Sequence, residues 1–363
     1  MVSPECNASP EYGSPERSAL TSSAVTLPLL LFLAGFAAWT GTGLVRRYAV
    51  RRSLVDVPNP RSSHTSPTPR GGGLSIAVVV LGAITLQTAF GDLPRTLGVT
   101  FLAGGALIAL TGWLDDRRNV PAGWRALAQF VAAGWVVARI GAPDSLWLGP
   151  WSLSLGPLAP WVAVVGLVWL INLFNFMDGI DGIAAGEAVS VALVGGALLL
   201  ASGASGLGVT SLIAGFASAG FLAWNWPPAR IFMGDVGSGF LGFLLGALAI
   251  AGAGEGAVPL LIWMLLLGVF LFDATATLLR RIPREKVYEA HRRHAYQRAV
   301  QAGWSHRRVT TSVLALNAFL AALAAAAWAV PSFAPLALIA AVGVLSLAYL
   351  AVERRLPMWA ATA

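Results

Sequence analysis

The 363-residue chain is poor in charge, in cysteine and in lysine. Only 11% of its residues are Asp, Glu, Lys or Arg, against about 25% in a soluble domain. With 56% hydrophobic residues and a mean hydropathy of +0.71, a water-soluble globular protein is excluded, because a core of this size could not hide so much apolar surface. The same balance excludes a disordered chain. The single cysteine, Cys6, excludes an internal disulfide and a Cys-based zinc site. Lysine occurs once, at Lys286, among 24 basic residues that outnumber 17 acidic ones. In a soluble protein that excess would point to nucleic acid. No basic groove interleaved with aromatics accompanies it, so no nucleic-acid partner is expected. The excess matches the positive-inside bias and contact with membrane lipids.

What is present is a series of apolar stretches, at roughly 25–45, 71–90, 96–114, 126–141, 158–176, 184–201, 207–225, 236–253, 258–279, 309–330 and 335–352. They predict an all-α, polytopic membrane bundle of about 11 transmembrane helices. Residues 1–24, rich in Pro, Ser and Glu, are expected to be a disordered tail without the basic start of a signal peptide. Residues 25–353 form one transmembrane domain, and 354–363 a short cytoplasmic tail. Alternate loops hold 21 of the 24 basic residues; the other set has only Arg17, Arg95 and Arg139. That split places the N-terminus outside and the C-terminus in the cytoplasm.

The polar exceptions then collect on one side. Asp115 and Asp116 end the third stretch, Asn172, Asn175, Asp178 and Asp181 cross the end of the fifth, and Asp235 opens the eighth. His291 and His294 lie in the last large basic loop. On the arginine topology all of these face the cytoplasm. Five carboxylates beside abundant arginine point to divalent-metal and phosphate chemistry, for which oxygen ligands suit Mg²⁺ or Mn²⁺. Asn172 and Asn175, like Asp178 and Asp181, are three apart and share a face while the segment stays helical. Gly179 and Gly182 let the backbone approach a ligand, and Gly234-Asp235-Val-Gly237 is a glycine-rich turn into a helix. Arg61, His64 and Arg70 belong to a basic loop stiffened by Pro and Gly. Asp273, inside the ninth stretch, is a functional suspect or half of a pair with an arginine.

These motifs resemble the polyprenyl-phosphate N-acetylhexosamine-1-phosphate transferases, the membrane enzymes of glycosyltransferase family 4. The resemblance runs from about Asp56 to Arg308. It is carried by Asp56…Arg61…His64…Gly72-Gly73, the Asp115-Asp116 pair, Asn172…Asn175…Asp178-Gly179…Asp181-Gly182, Phe232-Met233-Gly234-Asp235…Gly237-Ser238 and His291…His294. Trp226-Pro-Pro228…Arg230 and Glu289–Gln297 are most similar to the O-antigen-initiating branch. The triple-histidine run of the peptidoglycan branch is missing, and Ser62 stands where several relatives have lysine.

The resemblance implies transfer of a sugar-1-phosphate from a UDP-N-acetylhexosamine to undecaprenyl phosphate in the bacterial inner membrane. UMP is released, and lipopolysaccharide or another envelope polysaccharide is begun. It implies Asp235 as the main Mg²⁺ ligand, Asp115 or Asp116 as base or further ligand, and His291 and His294 on the diphosphate or sugar. Asn175, Asp178 and Asp181 would hold the nucleotide with Phe232 stacked on uracil, Asn172 and His64 would also contact substrate, and Arg61 or Arg70 would take a phosphate. It leaves open the sugar and the oligomeric state, a homodimer included. Two other classes compete: a transporter or flippase relaying protons through Asp273 and Glu187, and a CDP-alcohol phosphotransferase, whose aspartates come in one contiguous run.

Overall fold

The computed structural model of the protein describes residues 15–52, 54–56, 67–285 and 291–359. Within lipid an apolar segment satisfies its peptide groups only as a helix or a closed barrel, and every one of the expected apolar stretches is helical. In chain order they are α1 Pro15–Arg51, α2 Leu74–Phe90, α3 Arg95–Arg118, α4 Ala122–Ile140, α5 Ala159–Met177, α6 Ile183–Ala201 and α7 Ser205–Asn225. There follow α8 Asp235–Gly254, α9 Leu260–Leu266, α10 Gly268–Arg281, the short α11 Ala295–Gln301, α12 His306–Ala329 and α13 Ala334–Arg355. Two small antiparallel hairpins interrupt them, Val55–Asp56 (β1) with Thr68–Pro69 (β2), and Ser145–Trp147 (β3) with Ser152–Ser154 (β4). The protein is an all-α polytopic membrane protein.

Two expectations change in detail. Among the described residues eight helices are long and apolar enough to cross a membrane, or nine if one bent pair counts as a span, rather than eleven. α2 has only 17 residues, and α4 carries Arg125 and Gln129 in its first half. The ninth stretch is not straight: α9 and α10 meet at an 82° bend. The cause lies in α10, where Asp273, Thr277 and Arg281 follow each other at four-residue spacing and are all buried. Such a polar face cannot look into lipid, and the bend turns it against α5 and α11. α1 runs from Pro15 to Arg51.

The centre of the bundle is α8, buried from Val236 to Gly252. It packs against α2, α3, α4, α5, α6, α7 and α9. Its contact with α5 is close because Gly242 and Gly246 face that helix. A Cβ on Gly242 would stand 2.6 Å from the Leu170 carbonyl oxygen, and one on Gly246 2.5 Å from a Leu167 methyl. Small residues four apart are the usual way for membrane helices to gain dispersion contacts, since lipid offers no hydrophobic drive between them. The first residue of this insulated helix is Asp235.

Candidate active site

α3 and α5 end, and α4 and α8 begin, at one end of the bundle, and their terminal turns make the site. The last turn of α3 supplies neighbouring carboxylates with different tasks. Asp116 accepts the N–H groups of Asp235 (3.1 Å) and Val236 (3.2 Å). It thereby caps α8, satisfying donors that a helix start leaves free and placing an anion at the positive end of the helix dipole. Gly234, at φ +77°, makes this possible: a Cβ there would lie 2.6 Å from Asp116 Oδ2. Asp115 looks the other way. Its Oδ1 accepts the Val120 N–H at 2.7 Å and its Oδ2 meets Arg125 Nη1 at 2.5 Å.

Arg125, in the first turn of α4, also stands 3.5 Å from Asp235 Oδ2, while Asn175 Nδ2 donates to Asp235 Oδ1 at 2.8 Å. The Asp115 and Asp235 carboxyls come within hydrogen-bonding reach of each other. Both open into a cavity of about 500 Å³. One helical turn deeper, the carboxamides of Gln129 and Asn172 pair across it, with Asn172 Nδ2 donating at 2.7 Å. Opposite the acids the wall is basic, formed by Arg281, His291 and His294, with Thr277 and Gln297.

His291 accepts the Arg293 N–H on Nδ1 at 3.2 Å, which leaves the ring proton on Nε2. Burial, with repulsion from His294 and Arg281 behind it, pushes His291 down to about 3, so it is a neutral donor at pH 7. The His294 ring lies 4.9 Å from that of His291, with its Nδ1 3.6 Å from Asp273 Oδ1. Asp273 accepts the N–H groups of Ala295 (2.8 Å) and Tyr296 (3.1 Å) and the Thr277 hydroxyl (3.1 Å). This intramembrane acid therefore caps α11 and sets His294, and among the described residues its partners are two backbone N–H groups, the Thr277 hydroxyl and His294 rather than an arginine.

Behind the basic wall is a clamp. The Glu353 carboxylate binds Arg280 through both oxygens at 2.8 and 2.9 Å, and buried Arg298 at 2.5 Å. Arg298 also donates to the carbonyls of Leu356 (2.9 Å) and Arg293 (3.1 Å), and Arg293 donates to the Met358 carbonyl at 2.6 Å.

The structure thus brings Asp115, Asp235, Asn172, Asn175, His291 and His294 to one cavity. Asp116 stands directly behind Asp235. Asp178 is close to both: burial first, then the charges of Asp235, Asp116 and Asp181, raise its carboxyl well above the ordinary carboxylate range. Asp181 is engaged elsewhere, accepting the Ala229 N–H at 3.0 Å and facing His306 Nδ1 at 3.2 Å. Arg70 donates to the Asp116 main-chain carbonyl. Phe232 donates its N–H to the Pro69 carbonyl at 2.8 Å, and its ring is not part of this cavity's wall. Arg61 and His64 lie outside the described residues.

Arg125 and Arg281 fall among the 21 basic residues of the alternate loops in sequence, and Gln129 lies inside an apolar stretch, yet all three line the cavity. Arg125 and Gln129 are four apart on α4, as are Asp273, Thr277 and Arg281 on α10. That spacing in otherwise apolar helices was the available signal.

Among the described residues no three His, Cys, Asp or Glu side chains converge closely enough to cage a metal alone. The donor set nevertheless suits Mg²⁺, which takes one or two carboxylates and fills its shell with phosphate oxygens and water. Asp115 and Asp235, nearly touching with one arginine between them, leave negative charge that such an ion would balance.

Comparison with known proteins gives concordant results. Residues 99–253 match Glycosyl transferase family 4. The probable undecaprenyl-phosphate N-acetylglucosaminyl 1-phosphate transferase of Bacillus subtilis (strain 168) is 32% identical over 78% of this chain and 80% of its own length. The decaprenyl-phosphate N-acetylglucosaminephosphotransferase of Mycolicibacterium smegmatis is 30% identical over 80% of each. The undecaprenyl-phosphate alpha-N-acetylglucosaminyl 1-phosphate transferase of Yersinia pestis is 28% identical over 83% of each.

Proposed function

The chain belongs to glycosyl transferase family 4, and on that premise we propose that it moves an N-acetylhexosamine-1-phosphate from a UDP-sugar to a polyprenyl phosphate at the cytoplasmic membrane face. N-acetylglucosamine is the sugar that the relatives' names carry. The product begins a lipid-linked envelope polysaccharide, O-antigen being the branch its motifs resemble. The observation that carries the reading is the meeting of Asp115, Arg125 and Asp235 at one cavity.

A phosphate oxygen of the lipid attacks the phosphorus that bears the sugar, that phosphorus parts from UMP, and UMP leaves. Phosphoryl transfer of this kind is chiefly positioning and charge stabilisation. Asp235 and Asp115 would hold Mg²⁺, which supplies positive charge to the diphosphate. Asn175 fixes the Asp235 carboxylate, and Arg125 draws the two acids together through Nη1 and offers Nη2 to a phosphate. From the opposite wall His291 donates Nε2–H as a neutral group, beside Arg281, whose Nε pairs with Glu285 at 3.0 Å. Asp178 serves the nucleotide side, and Phe232, whose ring lies outside the wall of this cavity, would stack on uracil only if the base extends beyond it. Asp116 acts through α8, and Asp181 through the turn it ties to His306; both are positioning residues.

The transporter alternative is disfavoured by the same geometry. Asp273 holds three donors and His294 in the cap of α11, while buried Glu187 accepts from Asn317 at 2.6 Å through Oε2 alone. The deciding experiment is a panel of radiolabelled UDP-sugars with undecaprenyl phosphate in detergent, following UMP and lipid product together. Equimolar appearance of both supports the proposal. Uptake into vesicles without UMP release removes it.

A further inference from the structure

On the far side of α3 and α8 from the cavity, α1 and α7 build a second feature. Phe32, Phe36 and Trp39 recur along one face of α1, exposed by 62%, 51% and 42%. Their rings form a ladder, Phe32 to Phe36 at 6.1 Å and Phe36 to Trp39 at 5.8 Å, which continues to Trp224 of α7 at 6.0 Å. Trp224 is fixed there by donating its indole N–H to the Trp39 carbonyl at 2.9 Å. Above it sits the Arg230 guanidinium, 5.9 Å from the Trp224 ring. Arg46, on the same face of α1, donates Nε to the Arg230 carbonyl at 3.1 Å. That bond fixes Arg46 and leaves both of its terminal amino groups available. Among the described residues neither arginine has a carboxylate partner.

We propose that Arg46 and Arg230, above the Phe32–Phe36–Trp39–Trp224 ladder, form a binding site for an anionic phospholipid of the leaflet that holds the active site. The two arginines take the headgroup phosphate, and the ladder takes an acyl chain. Depth supports the pairing. Tryptophan beside the guanidinium groups marks the headgroup level. From Arg46 to Phe32 the helix runs about 21 Å at 1.5 Å per residue, enough to pass through half of a hydrocarbon core about 30 Å thick. Chemistry supports it too, since a guanidinium beside an aromatic face keeps its in-plane donors free for a phosphate. The acceptor polyprenyl phosphate is a different occupant, because it must reach the cavity walled by α3, α4, α5 and α10. A second copy of the chain would bury the ladder but bring no phosphate to the arginines.

The test is native mass spectrometry of the full-length protein released from micelles with equal amounts of phosphatidylglycerol and phosphatidylcholine. Wild type should retain phosphatidylglycerol preferentially. Arg46→Gln with Arg230→Gln should reduce that preference by roughly 10- to 30-fold, the scale that two arginines contribute against an anionic surface. Arg354→Gln with Arg355→Gln, the same charge change elsewhere, should not. The exposed Arg230→Gln alone, whose turn is held by backbone bonds, should give an intermediate loss in a protein of unchanged melting temperature. Phe36→Ala with Trp39→Ala should reduce retention of both lipids. An equal loss in both arginine pairs, or no loss in either, would overturn the site. So would displacement of phosphatidylglycerol by undecaprenyl phosphate with the same arginine dependence, or a lipid-free dimer that masks the ladder.

Discussion

The two walls of the cavity face the same substrates but are held in opposite ways. The acidic wall stands on helix ends: Asp235 begins the most buried helix of the molecule, and Asp116 and Asn175 fix it through bonds of 2.8 to 3.1 Å. The basic wall stands on α10, α11 and the chain between them, with His291 and His294 held from behind by Glu353, Arg298 and Arg293. Backbone insulation secures one side and an ion-pair clamp the other. A damaged acidic wall should therefore lose chemistry while keeping its shape, and a damaged basic wall should lose shape first.

The largest effect should follow Asp235→Asn, which keeps size and one acceptor but removes the charge. Turnover should fall by at least ~100-fold, the scale of a key electrostatic group, with membrane insertion unchanged. Asp92→Asn, an exposed acid away from the site, is the control and should be neutral. Near-normal turnover with unaltered Mg²⁺ dependence would move the ion to Asp115.

Next comes Arg125→Gln, which leaves Asp115 and Asp235 facing each other unbalanced. Loss of a hydrogen bond between charged groups costs about 1.5–3 kcal/mol, so kcat/KM should drop roughly 10- to 100-fold. A change confined to stability would remove Arg125 from the reaction. Glu353→Gln should have a smaller effect, about tenfold on kcat/KM, with Mg²⁺ dependence like wild type and a weaker response to salt, because the variant has lost the ion pairs to Arg280 and Arg298 that salt would screen. If its Mg²⁺ dependence shifted as well, the two walls would not be independent.

The smallest effect concerns pH. Folded His291 resists protonation more than it does in the unfolded chain, being held down to about 3 from an ordinary 6.5. The unfolded state thus binds more protons in that interval, so the stability His291 contributes is complete above pH 6.5 and declines as pH falls toward 3. Melting temperature in detergent should show a shallower acid decline for His291→Gln than for wild type. Parallel curves would contradict a neutral His291.

The acidic wall was the more legible half in the sequence. Asn175 and Asp235 are polar residues in runs of apolar ones, and a membrane helix carries such residues only for a purpose. Their roles were less legible where a distant backbone decided them. Asp116 and Asp115 are neighbours of identical type, and only the N–H groups of α8, 119 residues along, assign Asp116 to capping. Asp181 is likewise claimed by Ala229 and His306. The bend at Leu267 was hidden because hydropathy runs through it without a proline. It arises from what the buried face of α10 must touch. Arg298 looked like one more basic loop residue, although it is 2% exposed, because its partners come from the end of α13 and the segment beyond it.

The clamp also sets an order of events during synthesis. Every residue of the acidic wall has been made once the chain has passed Ser238. The basic wall cannot close until Glu353, Leu356 and Met358 exist to receive Arg298 and Arg293. At about 5–20 residues per second, the ribosome needs roughly 6–24 s more to reach them. For that interval the nascent protein carries its charged half-site in the membrane without the opposing wall, and turnover begins only when the last helix has docked.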